Sequence, residues 1–224
     1  MKSVNDISFW QDTCDFSIMR TQSAGVILRA GQATWEDRRF QEFRKGAEPV
    51  SFPFGNYWYF DNDVEPKRQA EKWAQIIGDN HGVLGCWLDL EDAGNGKFGT
   101  YKAWWDCVAY FKQFQPSAVL GIYTRASYFN SPKYQVPANH AFRNLPLWVA
   151  HYRTVEPTLP KGWSDWLIWQ WTDQGDGVAH GVGSKEIDMN WYKGELGNPP
   201  TVPSVGSTLE ADFGNFGKAE YRKA

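Results

Sequence analysis

The 224-residue sequence is most informative first in what it lacks. No stretch is long and apolar enough to cross a bilayer, and the N-terminus MKSVNDISFW has no apolar segment of the kind that forms a secretory leader. The expectation is synthesis in the cytoplasm, with any work outside the cell requiring release by lysis, another export route or a leader preceding this sequence. Basic residues are not in excess: 23 Lys and Arg stand against 26 Asp and Glu, for a net charge of -3. A nucleic-acid or anionic-membrane partner is therefore not expected. The three cysteines, Cys14, Cys86 and Cys107, show neither CxxC spacing nor histidines at metal-ligand intervals. They read as free thiols, mostly buried, with room for at most one optional bridge. His81, His140, His151 and His180 form no motif, and only His151 follows a strand end. No phosphate-cradling glycine loop and no Asp-x-Asp-x-Asp-Gly calcium loop occur, and no cofactor is expected.

What is abundant is aromatic surface: 13 Trp, 10 Tyr and 14 Phe. Most of these rings are expected in the core, yet flat amphipathic rings in this number also suit stacking on sugars or bases.

Apolar, β-rich runs recur at 4–8, 25–30, 54–60, 83–90, 118–123, 146–150, 166–171 and 186–191. Helical patterns fit between the early ones, at 15–24 behind Asp15, 37–46, 65–78 between Asp63 and Gly78, and about 100–114. Strand–helix alternation predicts a parallel sheet covered on both faces, and eight strands predict closure. The fold class expected is α/β, an irregular TIM-like (β/α) barrel whose second half has fewer and shorter helices. From residue 196 the composition shifts to Pro, Gly, Ser and Thr, so 1–195 reads as one catalytic barrel and 196–224 as a linker or wrapping tail. A monomer is expected.

Within this frame the stretch GVLGCWLDLEDAG (82–94) is anomalous, because an apolar strand ends in three carboxylates. Barrel enzymes carry their reactive groups at the C-terminal ends of the strands. Asp6 lies on the first strand, Asp89 and Glu91 end the fourth, and Asp188 ends the eighth, which neighbours the first on closure. Asp89 and Glu91 are two apart and share a face, whereas Asp92 points away and reads as a loop cap. Asp61 and Asp63 read as helix caps ahead of Pro66. Crowded carboxylates raise one another's pKa, leaving one protonated near neutrality beside an ionised neighbour. Glycoside hydrolysis uses that division; metal binding and plain structural pairing are the rival uses of such a cluster. Tyr57, Tyr123, Trp148 and Trp169 lie on strands whose ends face the pocket and are the candidate sugar contacts.

The segment NDISFWQDTCDF (5–16) resembles the opening of the family-25 glycoside hydrolases, the muramidase-type lysozymes. GNYWYF (55–60), WLDLED (87–92), GIYT (121–124), LWVAHY (147–152), WQWT (169–172) and EIDMNWY (186–192) follow in family order. The resemblance covers about residues 4 to 193. It implies cleavage of the β-1,4 bond between N-acetylmuramic acid and N-acetylglucosamine in bacterial peptidoglycan. On matching positions it implies Glu91 as general acid, Asp89 as the carboxylate that orients the acetamido group or stabilises positive charge, and Asp6 and Asp188 as flanking acids. The internal nucleophile, carboxylate or substrate acetamide, stays open. Asn5 for Gly, Trp58 for His and Trp171 for Tyr depart from the pattern and bear on sugar contacts rather than on the acids. An inactive carbohydrate-binding barrel and a chitinase-like glycosidase are the alternatives; the longer acidic pattern of the latter is not supplied by Gly85 and Trp87.

Overall fold

The computed structural model describes residues 1–92, 100–152 and 155–196. The strands are β1 (Lys2–Ile7), β2 (Val26–Gln32), β3 (Trp35–Glu36), β4 (Phe54–Tyr59), β5 (Cys86–Asp89), β6 (Leu120–Thr124), β7 (Leu147–Ala150), β8 (Ile168–Asp176) and β9 (Glu186–Tyr192). All but β3 form a closed barrel in the order β1-β9-β8-β7-β6-β5-β4-β2, sealed by pairing of β2 with β1. β3 is a two-residue antiparallel flap on the outer end of β2.

The eight strands predicted from sequence are these eight, but one runs the other way. β9 is antiparallel to both β8 and β1. The connection, residues 177–185, explains the reversal, since a parallel return needs a crossover of about a dozen residues or more. Asp188 consequently lies near the start of its strand instead of at its end. Reversal brings that start to the mouth where the parallel strands finish, and Asp6 and Asp188 are direct register partners.

The helices α1 (Phe16–Gln22), α2 (Phe40–Ala47), α3 (Pro66–Ile77) and α4 (Tyr101–Phe114) cover the first half of the barrel. Asp15 caps α1 by accepting from the Ser17 and Ile18 amides, and the Thr100 hydroxyl caps α4. The cap of α3 is Glu65, whose carboxylate accepts from Lys67 and Arg68, not Asp61 or Asp63. Pro66 at the first helical position makes the residue before it the cap. Asp61 instead accepts from the Asp63 amide in the preceding turn. After β6 the helical cover thins to α5 (Ala126–Phe129) and two 3-10 turns, Pro132–Tyr134 and Ala141–Asn144. The proposed tail from residue 196 lies, beyond its first residue, outside the described residues.

Strand alternation divides the apolar residues into two layers. Outward residues of the strands meet the helices through Trp58, Trp73, Trp104 and Phe111. Inward residues Val4, Ile27, Trp87, Trp148, Ile168 and Tyr192 plug the barrel below the mouth. Gly121 on β6 is the clearance for this plug: a Cβ there would stand 2.3 Å from the Trp87 ring. The aromatic excess is thus mostly packing, and Trp10 and Trp35 are the exposed tryptophans.

Candidate active site

Above the apolar plug the inward positions turn polar, and Asp6, Asp89, Glu91 and Asp188 converge on one chamber of about 250 Å³. Each is placed by strand parity. Asp6 follows Val4 by two on β1, Asp89 follows Trp87 by two on β5, and Glu91 continues the same face beyond the strand end. Tyr57, Tyr123 and Trp148 line the same chamber, with Arg29, Tyr59, Tyr152 and Gln170.

Trp169 does not line it. Its neighbours Ile168 and Gln170 take the inward positions of β8, so the Trp169 ring turns outward against Trp166, centroids 5.8 Å apart. Its indole Nε1 donates to the His151 carbonyl at 2.8 Å. Asp92 is exposed, and its carbonyl accepts from the Tyr59 hydroxyl at 3.0 Å.

Asp6 is the most tightly held acid. Its Oδ2 accepts from Gln170 Nε2 at 3.0 Å and from Asn190 Nδ2 at 2.8 Å. Both amides are oriented from behind. The Tyr123 and Tyr152 hydroxyls donate to Gln170 Oε1, each at 2.9 Å, and the Trp148 indole donates to Asn190 Oδ1 at 2.8 Å. An indole N–H can only donate, so the Asn190 nitrogen is directed at the carboxylate. These aromatics therefore aim hydrogen-bond donors at Asp6 as well as forming the walls. Sequence reasoning missed Gln170 and Asn190; their signal is an amide at an inward position of an apolar strand, legible only once strand phase is known.

All four acids are raised from their ordinary values. Burial pushes Asp188 up to about 9, and the charge of Asp6 and a hydrogen bond with it add to the rise. That bond acts on Asp6 in the opposite sense, holding down a carboxyl that burial raises. Of the two, Asp188 is the one pushed up toward the protonated form near neutrality, while the Gln170 and Asn190 amides oppose the rise of Asp6. Asp89 is raised well above its usual range by burial, then by Glu91 and Asp6, against the pull of Arg29. Glu91 is raised to about 7 by burial, opposed by Arg125 and reinforced by Asp6 and Asp92. A glutamic acid at that value is half protonated near neutrality and can give up its proton readily.

Arg29, another residue sequence reasoning passed over, is the cation of the chamber wall. Its Nε donates to Asp37 at 2.8 Å with both partners buried, and its guanidinium carbon lies 4.6 Å from the Phe9 ring centroid. Asp89 Oδ1 is buried and accepts no hydrogen bond among the described residues. A second chamber of about 530 Å³ opens on the other side of Glu91 and shares Tyr123 and Tyr152 with the first. Arg125 and His151 line it, and the His151 Nδ1 accepts from the Thr158 amide at 2.8 Å.

Known proteins share this arrangement of elements. Residues 5–180 match the family model "Glycosyl hydrolases family 25". Lysozyme M1 of Streptomyces globisporus is 30% identical over 205 residues, a span of 84% of this chain and 67% of that protein. An autolytic lysozyme of Clostridium acetobutylicum is 24% identical over 230 residues, and the chain spans 61% of its length. Among solved structures, a muramidase from Acremonium alcalophilum has a TM-score of 0.71 at 25% identity, covering 87% of this chain and 95% of its own. A lysozyme from Streptomyces coelicolor, 23% identical, has the same fold with a TM-score of 0.71 over 86% of this chain and 92% of its own. A family match that begins beside Asp6 and runs through all but the last barrel strand settles the kinship: the chain belongs to family 25 of the glycosyl hydrolases.

Proposed function

We propose that the protein is a peptidoglycan-degrading N-acetylmuramidase that hydrolyses the β-1,4 bond between N-acetylmuramic acid and N-acetylglucosamine, with the bacterial cell wall as its site of action. The observation that carries the reading is the position of Glu91. It stands between two chambers with its carboxyl raised to about 7, and Asp89 precedes it by two residues on the same strand face.

A glycosidic bond laid across Glu91 has its muramic ring in the acidic chamber and its leaving sugar in the other. Glu91 protonates the glycosidic oxygen as the C–O bond breaks, and positive charge develops on the muramic ring. Asp89 Oδ1, with no donor among the described residues, accepts the N–H of the 2-acetamido group. That contact favours the ionised form of Asp89 and turns the acetamide oxygen toward the anomeric carbon. Asp6 and its neutral partner Asp188 hold the field around both groups without adding a second full charge. The Asp89 carboxylate and the acetamide oxygen are both within the scheme as the internal nucleophile, and both give net retention.

The test is product analysis. Purified peptidoglycan is digested, the new reducing ends are reduced with borohydride, and the fragments are identified by mass spectrometry. Muramitol at those ends supports the assignment; glucosaminitol overturns it.

A further inference from the structure

We propose that Arg125 makes the second chamber selective for a glycan that carries a carboxylate on its leaving-side muramic residue. This rests on the assignment of Glu91 as the proton donor between the two chambers.

The guanidinium is exposed, lines the chamber, and makes no ion pair or hydrogen bond with another described side chain. Of the other described cations near the cleft, Arg29 pairs with Asp37 and Arg39 with Asp12 and Glu42, and Lys185 lies on the opposite side of the acidic chamber, in a depression lined also by Asp188. Arg125 is therefore, among the described residues, the unpaired cation that lines the second chamber, where the carboxylate is Glu91. The rest of the chamber suits the face and hydroxyls of a sugar: Ala126, Ala150 and Tyr152 present apolar surface, and Ser127, Asn130 and Thr158 present short polar groups. The charge of Arg125 reaches Glu91, which agrees with their sharing one wall.

Substrate chemistry supplies the matching anion. With muramic acid on the acidic side of Glu91, the first leaving sugar is glucosamine and the next is again muramic acid. The lactyl ether of that residue is on O3, beside the O4 through which it joins the glucosamine. Its carboxylate, or the first carboxylate of the peptide built on it, folds back over the linkage toward the chamber. Planar guanidinium and carboxylate pair through two parallel N–H···O contacts.

The experiment compares the full chain with Arg125→Gln and Arg125→Lys on a tetrasaccharide of two glucosamine–muramic acid units. One form carries the peptide stems, one has the stems removed to leave the lactyl carboxylates, and one has its carboxylates methyl-esterified. At a pH well below the Glu91 value of about 7, Arg125→Gln is expected to raise KM on a carboxylate-bearing form by roughly fivefold, the scale of one exposed ion pair, with kcat little changed. The ester should show no such loss, and Arg125→Lys should recover part of it. Loss on the stripped form assigns the contact to the lactyl group, and loss only on the stem-bearing form assigns it to the peptide. Equal losses on charged and esterified glycans, or a loss that persists on a trisaccharide lacking the terminal muramic residue, would overturn the proposal. If wild-type protein cleaves none of these, the muramidase reading fails instead. Calorimetric binding of the same glycans to Glu91→Gln, with and without Arg125→Gln, then reads the carboxylate preference independently of turnover.

Discussion

Asp6 and Asp188 face one another as register partners of the antiparallel β1–β9 pair, and burial together with the charge of Asp6 pushes the Asp188 carboxyl up to about 9. Two acids at facing positions of adjacent strands crowd their charge, and that crowding is part of what raises the Asp188 carboxyl. Asn190 and Gln170 neutralise the remaining demand by donating to Asp6.

This pair has a measurable effect on stability. Asp188 binds its proton in the folded state up to about 9, but in the unfolded chain only up to its ordinary value of 3.8. Its contribution is therefore fully present below the unfolded value and is lost as pH rises through the folded one. The melting temperature of the wild type should fall between pH 5 and pH 9 more steeply than that of Asp188→Asn, which keeps an N–H to give to Asp6. Parallel slopes for the two proteins in scanning calorimetry would contradict the raised Asp188 carboxyl.

A second prediction concerns Arg29 and Asp37. The pair is buried, with Nε 2.8 Å from Oδ2, and Asp37 also accepts from the Phe9 and Arg39 amides. Removing one charge strands the other, which costs about 3–5 kcal/mol at a buried site. Asp37→Asn should lose that much in urea unfolding. Arg29→Met should lose a similar amount and, by removing the cation that opposes it, raise Asp89 further; a carboxylate-resolved NMR titration reads that shift.

The plug below the chamber gives a third. Gly121→Ala places a methyl 2.3 Å from the Trp87 ring and 2.9 Å from the Pro146 carbonyl. Trp87 cannot yield easily, because its Nε1 donates to the Leu84 carbonyl at 2.9 Å and its ring packs edge-on against Trp148. Overpacking of this kind costs about 1–3 kcal/mol. Because Trp148 orients Asn190 toward Asp6, the variant should also lower activity at temperatures where it remains folded, which a turnover assay well below its melting point detects.

How much of this was legible in the sequence follows from what sets each feature. The gathering of Asp6, Asp89 and Glu91 was legible, because period-two alternation and barrel closure fix both face and height once an acid ends an apolar strand. The direction of β9 was not, since EIDMNWY carries no mark of polarity and only the short 177–185 connection decides it. Trp169 was misplaced because one face of WLIWQW is wholly apolar or aromatic and the other differs from it only by Gln170, too little to mark the phase. Gln170 supplies that phase only through its bonds to Asp6, Tyr123 and Tyr152, which come from three other parts of the chain. Arg29 and Asp37 are eight residues apart, yet their pairing depends on the β3 flap, too short to leave a pattern.

The last prediction joins the site's electrostatics to rate. A general acid must be protonated, so activity should fall as pH rises through the Glu91 value of about 7. Arg125 opposes the rise of Glu91, and removing that positive charge leaves the protonated form favoured to higher pH. The alkaline limb of kcat/KM should therefore move upward in Arg125→Gln and stay near the wild-type position in Arg125→Lys. Glu91→Gln, which has no proton to give, should lose about 10²–10⁴ in kcat with the fold intact by circular dichroism. Its melting temperature above pH 7 should equal or exceed that of the wild type, because a half-buried carboxylate has been replaced by a neutral amide of the same shape. An alkaline limb that does not move in Arg125→Gln, together with full activity in Glu91→Gln, would show that the proton comes from another group.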